Sequence, residues 1–263
     1  MRVWRISLSC MSADGCPIWI DLVCDDLDAS KNFYANVLGW MFADPAPAAG
    51  GWTMAMVGDC AVAGLAPRRP ATPSSWSLYF ATSDIGHTLS RIRELGGNVL
   101  VPAFDIVISG QLMGRIAAGT DPVGGAFGLW EPHAMPGFVG TGAPGHPVWF
   151  ELDSQTPSTA TNFYCALFHG TAETLSEPAD YTSIVIDGGQ RFGIWHMEGM
   201  TPAEVGSRWY CYLSVRDVDA ACERVSAHGG QVHQVANSPH GRWAFIADNQ
   251  GATSYLMDVT VKV

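Results

Sequence analysis

Apolar residues recur at two different spacings near the start of the chain. Residues 17–24 form a run rich in strand-favouring residues. The segment Ala29–Leu38 then carries apolar residues at helical spacing, Asp26 or Asp28 can supply the N-cap, and Gly39 is suited to end the helix. These positions predict a strand followed by a helix.

The same reasoning predicts the remaining elements of the first half. Further strands, a second helix and two final strands follow at Trp52–Val57, Val62–Leu65, Trp76–Thr82, helix Ile85–Leu95, Gly114–Ala118 and Ala126–Trp130. The order is β-α-β-β-β, repeated with short connections. It predicts an α+β fold whose strands are mainly antiparallel.

The chain also repeats itself about 130 residues later. The matching segments are WIDL at 19–22 with WFEL at 149–152, KNFY at 31–34 with TNFY at 161–164, LGG at 95–97 with HGG at 228–230, and DPVG at 121–124 with DNQG at 248–251. Thr156 and Pro157 can start the second copy's first helix, where His169 replaces the stopping glycine. Ordered landmarks with length changes between them indicate duplicated modules. The predicted organisation is an N-terminal tail (1–16), a first module (17–131), a Pro- and Gly-rich linker (132–146) and a second module (147–263).

These landmarks resemble a known family. The helix ending FYANVLGW at 33–40, the Gly-Gly pair before a strand and the DPVG turn before the last strand are similar to the vicinal-oxygen-chelate superfamily of glyoxalases, bleomycin-resistance proteins and extradiol dioxygenases. The resemblance runs from Pro17 to Val259 and is strongest for tandem hydroxylase-like or glyoxalase-like members. It implies paired βαβββ units, with the eight strands of each module curled into an open cup around the active site.

The resemblance also implies a metal held by His, Gln or Glu side chains at defined strand positions. Here those positions fall on Trp19 and Trp149 (first strands), Ser77 and Tyr210 (fifth strands), and Gly128 and Tyr255 (last strands). Indole does not ligate metals, and only a tyrosinate at Tyr255 remains as a remote candidate. Alternatively, an alignment shifted by one or two residues would place Asp21 and Glu151 there. We predict that the chain uses no metal and no other cofactor.

Strand alternation extends the prediction to the lining of both cups. The inward set is Trp19, Asp21, Ser77, Tyr79, Gly128 and Trp130 in the first module, and Trp149, Glu151, Tyr210, Tyr212, Tyr255 and Met257 in the second. Each cup would then be aromatic with one carboxylate, which suits a planar organic ligand. The alternative is that the rings simply fill the cups as core.

Asp21 and Glu151 are candidate acid–base residues, because apolar surroundings raise a carboxyl pKa. Alternatively they are structural carboxylates, bonded to backbone or tyrosine hydroxyls. Tyr255 and Tyr210 are candidate donors to a developing oxyanion. The candidate substrate-binding residues are Trp19, Trp149, Trp130, Tyr79, Tyr212, Met257 and His196. His196 and His240 are alternative candidates for a catalytic base in the second module. Otherwise they are ordinary solvated histidines.

Composition narrows the choice of partner. A formal net charge of −11 argues against nucleic acid and anionic membranes. The seven cysteines contain no CxxC pair, and no dinucleotide, P-loop or serine-nucleophile motif occurs. We predict a cytoplasmic monomer or homodimer that binds an organic small molecule.

Two functions are compatible with these residues. The favoured one is a metal-independent enzyme that acts on a small aromatic or cyclic, secondary-metabolite-like molecule by proton transfer, in an isomerisation, cyclisation, dehydration or cofactor-free oxygenation. The other is a binding protein that sequesters a drug or toxin without chemistry, as bleomycin-resistance proteins do.

Overall fold

The computed structural model describes residues 13–45, 50–68, 73–138, 142–175, 181–197 and 206–258. Its first sheet and two helices comprise β1 (Pro17–Cys24), α1 (Leu27–Leu38), β2 (Met41–Phe42), β3 (Thr53–Val57), β4 (Cys60–Pro67), β5 (Ser75–Ala81), α2 (Ile85–Glu94), β6 (Asn98–Ile108), β7 (Gln111–Thr120) and β8 (Ala126–Pro132). The second comprises β9 (Pro147–Ser154), α3 (Pro157–Leu167), β10 (Thr171–Leu175), β11 (Tyr181–Ile186), β12 (Gly189–His196), β13 (Arg208–Val215), α4 (Val218–Ala227), β14 (Gln231–Ser238), β15 (Gly241–Ala247) and β16 (Thr253–Asp258).

Both sheets have eight strands in the same order, which is β2-β3-β4-β1-β5-β8-β7-β6 in the first and β10-β11-β12-β9-β13-β16-β15-β14 in the second. Each half-unit contributes four adjacent strands, and the two half-units meet where β1 pairs antiparallel with β5, or β9 with β13. The β1–β4 and β5–β8 contacts are parallel, as are their counterparts β9–β12 and β13–β16. The other ladders are antiparallel. The predicted fold class of tandem βαβββ modules with open sheets is confirmed.

Some of the predicted organisation falls on residues that the structure does not describe. Residues 1–12 of the predicted tail, 139–141 of the predicted linker and 259–263 at the end of the second module lie outside the described residues. Within the part that is described, no helix combines the length and apolarity that crossing a bilayer requires.

The two modules share one core. The ring of Phe80 on β5 is fully buried and contacts Phe127 of its own module, as well as four rings of the second module: Tyr164, Phe168, Phe192 and Trp209. The modules therefore bury their apolar faces against each other, and this shared face fixes their relative placement.

Two reciprocal hydrogen bonds connect the repeated landmarks. The hydroxyl of Tyr34 on α1 donates to Asp248 of the second module at 3.0 Å, and that of Tyr164 on α3 donates to Asp121 of the first at 2.9 Å. Burial raises the pKa of both carboxyls, while backbone N–H donors and these hydroxyls oppose the rise. The FY and Asp-x-x-Gly landmarks are therefore partners across the module interface rather than parts of a cup.

The helix ends differ between the modules. Asp26 caps α1, accepting a hydrogen bond from the backbone N–H of Ala29 at 2.9 Å, and Gly39 closes that helix in the left-handed region at φ 74°. The equivalent residue after α3 is His169, at φ 52°. A residue with a Cβ is strained in this region, and glycine is not.

This difference predicts opposite effects of two substitutions. His169→Gly is expected to raise the free energy of unfolding by about 0.5 kcal/mol, because relief of strain exceeds the added freedom of the unfolded chain. Gly39→Ala is expected to lower it by about 1 kcal/mol, and since no atom lies within 4 Å of the added Cβ, the cost is conformational. Urea denaturation measures both. A destabilised His169→Gly variant would contradict the strain argument.

Candidate active site in the second module

The ladder of the second sheet gathers the predicted residues of that module on one face. Trp149 on β9 pairs with Tyr212 on β13, which pairs with Tyr255 on β16. Glu151 lies two residues further along β9 and pairs with Tyr210. We call this face the second cup. Its apolar residues form a cluster separate from the shared core, consisting of Val148, Trp149, Tyr212 and Met257 with Trp243 and Tyr255 packed against them.

Glu151 sits in this cup with 4% of its surface exposed. The hydroxyl of Tyr212 donates to its Oε1 at 2.8 Å, and Tyr181 forms a second hydrogen bond with the carboxylate. The indole N–H of Trp149 donates to the Tyr181 hydroxyl at 2.7 Å, which orients that phenol. Burial raises the pKa of Glu151 to about 7, against the lowering effect of the two tyrosines. The group is thus divided between its two protonation states near neutral pH.

Tyr181 was not foreseen from the sequence. It stands on β11, and its phenol crosses β12 directly above Gly193, where a Cβ would collide with the Tyr181 ring. Gly193 in turn pairs with Glu151. Glycine at this position therefore lets a side chain from an outer strand reach the central carboxylate.

Aromatic rings surround this carboxylate on the β13 side. The rings of Tyr212 and Tyr255 stack at 4.4 Å between centroids and 6° between planes. Tyr255 also contacts Tyr210, Trp243 and Phe245 at 4.9–5.6 Å. Burial raises the pKa of both Tyr210 and Tyr255, so they remain protonated hydrogen-bond donors at neutral pH.

A second carboxylate, Asp153, shares the cup face. It lies two residues beyond Glu151 on β9, half-buried, and pairs with Arg208 on β13 and Trp195 on β12. Burial raises the pKa of Asp153 to about 8, the negative charge of Glu151 adds to the rise, and Arg208 opposes it. Asp153 is not among the residues predicted from the sequence, although the alternation that selects Glu151 also selects residue 153.

The first module has a related but different arrangement. The indole N–H groups of Trp19 and Trp52 donate to Asp21 Oδ1 at 2.9 and 3.0 Å, and Tyr79 also bonds the carboxyl. Burial raises the pKa of Asp21, and these bonds oppose the rise. Gly64 corresponds to Gly193, because a Cβ there would collide with Trp52 and Asp21.

Residues after β8 pack against the predicted cup of the first module. Phe138 stacks on Trp19 with centroids 6.3 Å apart, and the Trp130 indole donates to the carbonyl of Met135 at 2.9 Å. Trp19, Trp130 and Phe138 all belong to the large shared core. The first cup therefore resembles the alternative in which rings fill it as core, while the second keeps its rings in a cluster of their own.

Comparisons with known proteins agree with this architecture. The family model described as the Glyoxalase/Bleomycin resistance protein/Dioxygenase superfamily matches residues 18–125. The Mycobacterium tuberculosis protein CFP32, whose name assigns it provisionally to the glyoxylases, is 35% identical over 246 residues, covering 90% of this chain and 92% of that protein. The chain belongs to this superfamily.

Further similar proteins are named for different roles. The anthracycline biosynthesis protein DnrV of Streptomyces peucetius is 33% identical, covering 91% of this chain and 92% of that protein. Among solved structures, the 2,3-dioxygenase LapB of Pseudomonas sp. KL28 has a TM-score of 0.63 at 11% identity, covering 94% of this chain and 93% of that one. The Mn(II)-bound glyoxalase of Novosphingobium aromaticivorans has a TM-score of 0.63 at 14% identity, covering 96% and 86%. At such identities the structural matches show the fold alone.

The superfamily implies a divalent metal, and the residues at the predicted ligand positions do not fit one. In the second cup these positions carry the indole of Trp149, which has no lone pair for a metal, and the phenols of Tyr210 and Tyr255, in place of the His, Gln and Glu side chains that hold such an ion. Among the described residues, no group of three or more His, Cys, Asp or Glu side chains is placed to hold a metal. We derive no chemistry through a metal.

Two candidate histidines lie apart from the cup residues. His196 pairs with Ser154 at the end of β12, one residue beyond Trp195 and Asp153, and therefore points to the opposite face. Its Nε2 lies 3.1 Å from Thr182 Oγ1. His240 occupies the turn between β14 and β15, where burial lowers its pKa. The strand geometry thus separates His196 from Glu151, although the sequence predicts both as residues of the site.

Proposed function

We propose that the second cup binds a small aromatic or cyclic molecule of secondary-metabolite type, and that Glu151 transfers a proton to or from it without a metal. The observation that carries this proposal is the environment of Glu151, a buried carboxyl whose pKa is raised to about 7 among aromatic rings. The similarity to proteins named for anthracycline biosynthesis supports a secondary-metabolite substrate.

The proposed chemistry assigns different tasks to the tyrosines. Ionised Glu151 removes a proton from an acidic C–H or O–H of the substrate and returns it later in the reaction. The hydrogen bonds from Tyr212 and Tyr181 hold the carboxylate in one orientation. Tyr210 and Tyr255, both half-buried, are the candidate donors to the oxyanion that develops on the substrate. Isomerisation, cyclisation and dehydration are compatible with these roles, and so is a cofactor-free oxygenation in which dioxygen is the second substrate and the oxidant.

The test begins with native mass spectrometry of the purified chain before and after exposure to small-molecule extracts of its host. A bound product whose mass differs from every supplied compound supports catalysis and provides an assay. In that assay, Glu151→Gln is expected to reduce kcat by about 100-fold and to leave ligand binding nearly unchanged.

The duplication offers a matched control, Asp21→Asn in the first cup. This variant is expected to retain most of the turnover, because the proposal places the chemistry in the second cup. Loss of turnover in Asp21→Asn together with a fully active Glu151→Gln would move the reaction to the first module and overturn the assignment. A metal bound at one ion per chain would overturn the metal-free mechanism.

Sequestration without chemistry is the second candidate. One observation favours it: the Glu151 carboxylate already accepts hydrogen bonds from two tyrosines, as a purely structural carboxylate would. In that case the bound compound is recovered unchanged, Tyr255→Ala lowers its affinity, and Glu151→Gln has no turnover to abolish. The same mass measurement therefore separates the two functions.

A further inference from the structure

We infer that the ligand of the second cup is an aromatic molecule with a positively charged amine, which is held by Glu151 and Asp153. This inference rests on the proposed function and adds a substrate class to it. The first observation is the charge of the cup. Two carboxylates, Glu151 and Asp153, share one face of β9, and one cation, Arg208, lies opposite Asp153. A bound ammonium would balance the second carboxylate.

The rings beside the carboxylates suit the same ligand. The half-buried side chains of Tyr210, Trp243, Phe245 and Tyr255 contact one another on the cup face of β13, β15 and β16. The faces of aromatic rings attract cations, and they also stack on a planar ligand. An anionic ligand would meet the two carboxylates instead and be repelled.

A buried hydroxyl without a partner also lies beside the carboxylates. Ser183 on β11 has no exposed surface, and its Oγ has no hydrogen-bond partner within the described residues. Ser183 pairs with Gly193, which pairs with Glu151, so its side chain lies on the cup face. Buried polar groups are normally paired, and an enclosed water would satisfy this one and add a polar group beside the carboxylates.

The duplicated module shows which of these groups the fold itself requires. In the first module, Val23 stands at the position of Asp153 and Ser75 at that of Arg208. The same sheet thus forms without the second carboxylate and without the arginine. The sheet itself therefore does not require them, which leaves both groups available to a ligand.

Proton exchange would accompany binding. The groups that face Glu151 and Asp153 or lie on the same sheet face are Glu173 on β10, Tyr181 on β11, Arg208, Tyr210 and Tyr212 on β13, Tyr255 on β16, and His233 beside Phe245 on β14. The raised pKa values leave protons on the carboxyl pair of the empty cup near neutral pH, and an ammonium replaces such a proton. Affinity for the amine should therefore rise between about pH 6 and pH 8, where an alkylamine stays charged.

Calorimetry with two matched probes on the full chain tests the inference. The probes are 2-naphthylmethylamine, which is a cation, and 2-naphthylmethanol, which is neutral. At about pH 8 the amine is expected to bind about tenfold more tightly than the alcohol, and the difference should shrink at about pH 6. Asp153→Asn should reduce the preference for the amine, and the control Asp59→Asn, an exposed carboxylate in the turn after β3, should keep it.

Each outcome bears on a different proposal. Equal affinity for the two probes, or tighter binding of the alcohol, overturns the cationic class and leaves the aromatic cup standing. Failure of both probes to bind overturns the proposed function together with the inference. The comparison of the two probes on the unaltered chain decides whether the cup prefers a cation, even if Asp153→Asn does not fold.

Discussion

Phe80→Ala is expected to lower the free energy of unfolding by about 3–5 kcal/mol, because it removes a fully buried ring and leaves a cavity between the modules. The ring centroid of Phe80 lies 5.1–6.0 Å from those of Phe127, Tyr164, Phe168, Phe192 and Trp209. These rings come from different strands and helices of both modules, so the surrounding structure cannot readily collapse into the space.

Urea denaturation followed by tryptophan fluorescence measures this loss. Phe104→Ala is the matched control, since that ring on β6 is 49% exposed and its removal should change the free energy of unfolding by about 0.5 kcal/mol or less. Because the modules share their core, both should unfold in one transition. Separate transitions for the two modules, or a small effect of Phe80→Ala, would contradict the shared core.

The fold was largely predictable because the chain presents it twice. The landmarks of one module have counterparts in the other, and the strands predicted for the first module agree with the observed order. The elements that escaped prediction lie at sheet edges. Strand β6 exposes Leu100, Val101, Phe104 and Val107, and an edge strand without a regular buried face carries no alternating signal.

Only those residues of the second cup that follow from alternation along a single strand could be predicted from the sequence. Alternation along β9, β13 and β16 placed Trp149, Glu151 and Tyr255 on one face. Tyr181 was inaccessible to this reasoning, because it reaches Glu151 across β12 and its role depends on the sheet order. His196 is the opposite case. The sequence predicts it as a substrate-binding residue, but the observed register of β12 places it on the other face of the sheet. The chemical roles of all these residues stay predictions.

The stability of the chain is expected to depend on the ionisation of Glu151. Its carboxyl pKa is 4.5 in an unperturbed chain and about 7 in the folded protein. The folded state therefore holds the proton more tightly, and stability that is full below about pH 4.5 is lost as the pH rises through 7. At about 1.4 kcal/mol per pH unit, the loss from this group is about 3 kcal/mol between about pH 4 and pH 8.

Glu151→Gln removes this contribution, together with the part of the Asp153 pKa rise that the Glu151 charge causes, because the amide keeps the shape of the carboxyl and does not ionise. Urea denaturation across that pH range should show a shallower decline for Glu151→Gln than for the parent, and the variant should be the more stable of the two at pH 8. Asp59→Asn, in the exposed turn after β3, should follow the parent curve. Parallel curves for Glu151→Gln and the parent would mean that the carboxyl ionises as if in water. A carboxylate of that kind would be a poor proton acceptor at neutral pH, so the result would remove the basis of the proposed mechanism along with the stability prediction.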